Sequence, residues 1–200
     1  TVSLRVTDDQ GLTGTSSTAV TISNLSPRLT GVAATSVDEF QYSSLTGSLS
    51  DPGTNDSFTL TVDWGDGSPP VSYPYAAGTT SFGEVHQYYD DNPSGTGADA
   101  YSITLNLADD DGGVDVTTTM VTVSNVPPTL ANLSASSAWE GGTCTVSAYI
   151  VDPGILDSFT LRIDWGDGTP TNVVNYPFGT NRVNQTHTYL DDDPSGTPAD

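Results

Sequence analysis

The sequence predicts an all-β chain of repeated two-sheet sandwiches, and three observations lead there. The chain repeats itself: Asp63-Trp64-Gly65-Asp66-Gly67 returns as Asp164-Trp165-Gly166-Asp167-Gly168, an offset of 101 residues (63 to 164). Asp51-Pro52-Gly53, His86 and the DDNPSGTGAD stretch recur at the same offset, and Thr1 to Asp99 laid on Ser102 to Asp200 without a gap agrees at about two positions in five. Within each period the apolar runs are short, rich in Thr, Val, Ile, Leu and Tyr, and bounded by Gly, Pro and Asp clusters. No stretch shows a helical period. A 101-residue unit of this kind has the size of an immunoglobulin-like sandwich.

The elements follow in order. Strand A is expected near Leu29 to Thr35 and strand B at Tyr42 to Ser50. Strand C, Phe58 to Trp64, puts Phe58, Leu60, Val62 and Trp64 on one face by the two-residue period of an extended chain. A Gly-Asp-Gly turn reverses it. Strand C′ is expected at Val71 to Tyr75, and strand E at Glu84 to Tyr89. Strand F turns Tyr101, Ile103, Leu105 and Leu107 inward, Asp109 to Gly113 forms a hairpin turn, and strand G runs from Val114 to Ser124. Asn125-Val126-Pro127-Pro128 reads as a stiff linker.

By this reading residues 1–26 are strands F and G of one sandwich, 27–127 make a whole one, and 128–200 supply strands A to E of a third. The chain is out of phase with its own domains, as expected of an excerpt of a longer repeat protein or a processed subunit. Incomplete sheets expose unpaired edges, which proteins normally cover.

Composition narrows the function. With 25 Asp plus Glu against 4 Lys plus Arg, the net charge of -21 repels phosphate backbones and anionic membranes, so nucleic acid is excluded as a partner. Of the acids 22 are Asp, short oxygen ligands suited to turns and to hard cations. Cys144 is the single cysteine, which rules out an intramolecular disulfide and a thiol metal cluster. No apolar run approaches the roughly 18 residues a membrane-spanning helix needs.

The succession DWGDG, then His86-Gln87-Tyr88, then YSITLNLADDDGG resembles the PKD (polycystic kidney disease) domain, an immunoglobulin-like module common in bacterial surface proteins and secreted hydrolases. The resemblance covers the whole chain. It implies an extracellular spacer, adhesion or fibre module without catalytic residues, with calcium at domain edges in some members. The wealth of Asp in the DPG and DD-x-PSG loops departs from the average member and favours ion binding.

In an immunoglobulin-like sandwich the B to C loop (Asp51, Asn55, Asp56) and the F to G loop (Asp109, Asp110, Asp111) meet at one end, where the linker 24–27 also arrives. Calcium takes six to eight such oxygens, so a Ca2+ site is expected at this junction. Asp152 and Asp157 repeat its B to C half, and Asp8 and Asp9 its F to G half. Asp66, Asp90, Asp91 and Asn92 lie at the opposite end and could face the next domain's site. Four sequons, at Asn24, Asn55, Asn132 and Asn184, are candidates for N-linked glycan, and Ser16 to Thr18 and Thr117 to Thr119 for O-linked sugar.

An enzyme is not expected. Asp63 and Asp66 resemble a glycosidase pair in type, yet Asp63 sits on a strand and Asp66 in a tight turn. His86 and His187 read as packed, hydrogen-bonded residues, and Cys144 as a core residue. The reading is an extracellular fibre, stalk or adhesin shaft, stiffened by calcium. Its partners are neighbouring copies of the repeat, in one long chain or head to tail by strand complementation. The alternative is an accessory carbohydrate- or protein-binding module of a secreted hydrolase, with Tyr73, Tyr75, Tyr88 and Tyr89 as a row for sugar rings.

Overall fold

The computed structural model describes residues 1–92 and 94–191, and every described element is a β-strand. The second copy of the Asp-rich loop, Asp191 to Asp200, lies outside the described residues from position 192 onward.

Strands β1 (Val2–Thr7) and β2 (Thr13–Thr18) form an antiparallel hairpin, Val2 opposite Thr18 and Thr7 opposite Thr13. Its turn is held by Asp8, whose Oδ1 accepts the amide protons of Gln10 and Leu12. Leu4 and Val6 on this hairpin are exposed.

The middle sandwich holds β3 (Arg28–Ala34), β4 (Val37–Asp38), β5 (Tyr42–Ser50), β6 (Phe58–Asp63), β7 (Val71–Tyr75), β8 (Ser81–Gln87), β9 (Ala98–Asp109) and β10 (Val114–Ser124). One sheet has the order β3-β5-β8 and the other β4-β10-β9-β6-β7. This strand order is that of an immunoglobulin-like sandwich. The alternation along β6 and β9 buries Leu60, Val62, Ile103, Leu105 and Leu107 completely, and Leu45, Leu49, Val121 and Val123 meet them from the neighbouring strands. The inward faces are those the two-residue period predicts.

Three strands differ from the sequence reading, the first being strand F, expected over Tyr101 to Ala108, which as β9 begins three residues earlier at Ala98. The expected single strand A divides: β3 pairs with β5 in one sheet, and β4 crosses to pair in parallel with β10 in the other. Strand E begins and ends earlier than expected, at Ser81 and Gln87, because Tyr88 leaves the ladder. Its amide donates to Gln41 O, its carbonyl accepts from Phe40 N, and its ring is fully buried.

The last unit repeats the plan with β11 (Thr129–Ala135), β12 (Thr143–Val151), β13 (Phe159–Ile163), β14 (Asn172–Tyr176) and β15 (Arg182–Thr188). Sheets β11-β12-β15 and β13-β14 enclose a smaller core of Ala148, Ile150 and Val183 with Phe159, Leu161 and Tyr176 against it. Among the described residues β13 pairs with β14 alone, where its counterpart β6 pairs with both β7 and β9.

The WGDG and H-x-Y motifs fold into one knot. The His86 ring stacks on Trp64 at 4.7 Å, its edge meets Tyr88, and its Nε2 lies 2.7 Å from Asp66 Oδ2. The Tyr88 hydroxyl donates to Trp64 O, while the Tyr101 hydroxyl donates to Asp90 O and Asn92 O. Asp66 Oδ1 accepts from Ser68, and Gly65 turns the chain with φ 79°, where a Cβ would strike the Ser102 carbonyl. Burial opposes ionisation of Asp66, but hydrogen bonds from Ser68 and His86 hold its carboxyl below the usual range. Trp165, Asp167, His187 and Tyr189 make the same contacts in the last unit.

Leu105→Ala is expected to lower the unfolding free energy by about 2–5 kcal/mol. Met120→Ala, on the exposed face of β10, is expected to change it by no more than about 0.5 kcal/mol. Urea denaturation of the two variants checks this contrast.

Candidate metal centres at the sandwich junctions

Carboxylates converge at both ends of the middle sandwich. At the end facing β1 and β2, oxygens of Asp51, Asp56 and Asp109 lie within 4.8 Å of one another. Asp51 and Asp56 come from the β5–β6 loop, and Asp109 ends β9. Asp51 Oδ1 accepts from Gly53 N at 2.6 Å, leaving Oδ2 buried and without a partner. Asn24 of the incoming linker donates from Nδ2 to Asp109 Oδ2 at 2.9 Å. That hydrogen bond is the largest cause of a lowered Asp109 pKa. Burial, then the charges of Asp51, Asp110, Asp111 and Asp109, push Asp56 upward.

The other predicted acids fall elsewhere. Asp110 ties the two loops together, its Oδ1 accepting from Ser57 N and its own amide donating to Ser57 O. Asp111 lines the hollow between linker and loops without joining the three-carboxylate group. Asp8 and Asp9 join no such group, since Asp8 caps its own turn and Asp9 is exposed. Asp66 is taken up by His86.

A larger group lies between the middle and last sandwiches. Glu39, Asp152 and Asp157 form one triad within 4.8 Å, and Glu39, Asp90 and Asp91 form a second. Asp152 and Asp157 belong to the β12–β13 loop and stand 101 positions after Asp51 and Asp56 (51 to 152, 56 to 157). Asp90 and Asp91 sit in the β8–β9 loop, fastened by the Tyr101 hydroxyl. Asp90 Oδ2 accepts from Leu156 N at 2.6 Å, a direct link between the sandwiches.

Glu39 is the residue that sequence reasoning missed. It follows β4, and its amide donates to Ser124 O, continuing the parallel pairing to the end of β10 where the linker starts. Its side chain is 0% exposed. Oε1 accepts from Val126 N at 2.8 Å, and Oε2 has no partner. The recurrence of Glu39 as Glu140 at the 101-residue offset was the available signal.

The described ion pairs are the two His–Asp contacts, so no arginine neutralises these clusters. Burial raises the Glu39 carboxyl to about 7; the Val126 hydrogen bond opposes this, and the charges of Asp157, Asp152 and Asp91 add to it. Burial with Asp152, Asp90 and Asp91 nearby raises Asp157 to about 6, and burial with Asp90 raises Asp91. Crowded oxygens without a counter-charge have the chemistry of a hard-cation site.

The remaining candidates are placed as follows. Asn55, Asn132 and Asn184 are exposed, whereas the Asn24 amide is engaged with Asp109. Ser16 to Thr18 are exposed, but of Thr117 to Thr119 only Thr118 is. Cys144 is buried, its Sγ donating to Ser136 O. The tyrosine row is not a row: Tyr88 is fully buried, Tyr73 and Tyr75 pack on the core with the Tyr75 hydroxyl on Glu84, and Tyr89 alone is exposed. The core takes the rings of Tyr73, Tyr75 and Tyr88, so these do not make the stacking row that the sugar-binding alternative expects of them.

No family model matches the chain, and no curated protein matches it. Among solved structures it is similar to the crystal structure of chicken CNTN1 FN1-FN3 domains, at 11% identity and a TM-score of 0.31. That similarity covers 92% of this chain and 66% of the other. No described helix is long and apolar enough to cross a membrane.

A raised carboxyl makes the folded state bind protons that the unfolded chain has released. Metal-free protein should therefore lose stability as pH rises from about 4.5 to about 7, through the ordinary and the folded values of Glu39. The lowered carboxyls Asp66, Asp109 and Asp167 lose their contribution only below about pH 4, outside that window. Thermal melts in chelator should give a higher midpoint at about pH 5 than at about pH 7.5. An equal or lower one would show that the joint does not hold its acids against one another.

Proposed function

We propose that the chain is a non-catalytic extracellular structural repeat of PKD type, part of a fibre, stalk or adhesin shaft, with calcium at its sandwich junctions. The observation that carries this reading is the group of Glu39, Asp90 and Asp91, buried, with Asp152 and Asp157, half-buried, between two sandwiches, and with no described arginine paired to it. Acids at a joint repel; a divalent ion turns that repulsion into a bridge. The joint is then loose without calcium and stiff with it, which suits a shaft. The 101-residue offset supports tandem repetition: β12 and β14 begin 101 positions after β5 and β7 (42 to 143, 71 to 172).

The array continues by copies of the same unit, within one chain or head to tail. The β1–β2 hairpin corresponds at that offset to β9 and β10, the strands that complete the sheet beside β6. Transferring the β6–β9 register to β13 places Leu161 opposite Val6 and Ile163 opposite Leu4, pairing side chains that are exposed or half-buried with apolar partners.

Electron microscopy of native material should show regular beaded filaments that soften or break in chelator, with a lower melting temperature. Identical particles and melting curves with and without chelator would remove calcium from the reading. For the copy-to-copy contact, oxidised Val6→Cys/Leu161→Cys chains should run as a disulfide-linked ladder. Recovery of monomer alone would refute that register.

A further inference from the structure

The two triads at the joint share one residue, Glu39. Each alone offers three carboxylates to one centre, half of a calcium shell, with water left to fill the rest. Glu39 is fully buried with Oε2 unpartnered, and Asp91 Oδ2 and Asp152 Oδ2, one from each triad, are also buried and unpartnered. A Cβ added at Gly154 would collide with both Glu39 Oε2 and Asp157 Oδ2, so this glycine keeps open the space into which those oxygens point.

Charge decides the number of ions. One divalent cation against five carboxylates leaves a net charge of about −3 in a buried joint, and two leave about −1. Asp90 and Asp91 come from the middle sandwich, Asp152 and Asp157 from the last, so a single ion on either triad leaves the other pair of acids without a counter-charge.

We propose that Glu39 bridges two divalent cations, one held with Asp152 and Asp157 and the other with Asp90 and Asp91, so that the joint closes on a two-ion cluster. This rests on the reading that the junctions take calcium. It adds their number and the residue that couples them. Asp51, Asp56 and Asp109 hold one further ion at the other junction.

Equilibrium dialysis of the full chain at micromolar free calcium and physiological salt tests the count. The intact chain should bind three ions, one for each carboxylate group. Asp91→Asn and Asp157→Asn should each bind two, and Glu39→Gln should bind one. In chelator Glu39→Gln should melt no lower than the parent, because an unpaired buried charge has been removed. That control separates loss of ligand from loss of fold. A Glu39→Gln chain that binds only one ion fewer than the parent, or an Asp91→Asn chain that binds as many as the parent, overturns the bridge while leaving calcium at the junctions. A parent chain that binds none overturns the junction reading itself.

Discussion

The side chain of Glu39 is enclosed between two sandwiches with one oxygen bonded to the linker and the other bonded to nothing. Burying a carboxylate in this way is costly unless a counter-charge compensates it, and the chain has only four cationic side chains, none of which reaches the site. The joint therefore carries acids that the chain's own cations do not neutralise. Without a counter-charge, Glu39 and its four aspartate neighbours favour proton uptake or separation. On the proposed reading, divalent ions draw the same groups together across the two units.

The rest of the middle sandwich serves to aim these acids. The rings of Trp64, His86, Tyr88 and Tyr101 form a continuous chain of contacts, stacked at both ends and edge-to-face between His86 and Tyr88, from the β6 turn to the start of β9. The last of them holds the loop that carries Asp90 and Asp91. The crossing of the chain from β3 to β4 brings Glu39 beside the end of β10, so the acid, the linker amide and the following unit meet at one place. Packing in the core thus sets the geometry of the joint, and the joint sets how one sandwich follows another. The same knot recurs in the last unit, and Glu140 stands there at the position of Glu39, exposed.

Much of this was legible from residues alone because it depends on local periods. The inward faces of β6 and β9, the packed histidines, the buried Cys144 and the ends of β5, β7 and β10 all follow from alternation and turn residues. The meeting of Asp51, Asp56 and Asp109 followed from strand direction. Proximity in sequence says less: Asp110 and Asp111 adjoin Asp109 without joining its three-carboxylate group, Asp110 being tied to Ser57, and Asp8 holds its own turn. The tyrosines misled for a related reason. Spacing shows that rings share a segment, while burial depends on which sheet covers them.

The sequence by itself determined the all-β class, the repeat, the core faces and the excess of short acids, since each is written in composition or in a period of two residues. Only the tertiary structure decided that Glu39 belongs with acids 51 to 118 positions away (39 to 90, 39 to 157). No local pattern encodes that meeting. It is produced by a parallel strand pairing and a packed aromatic knot, both of which exist only after distant segments have come together.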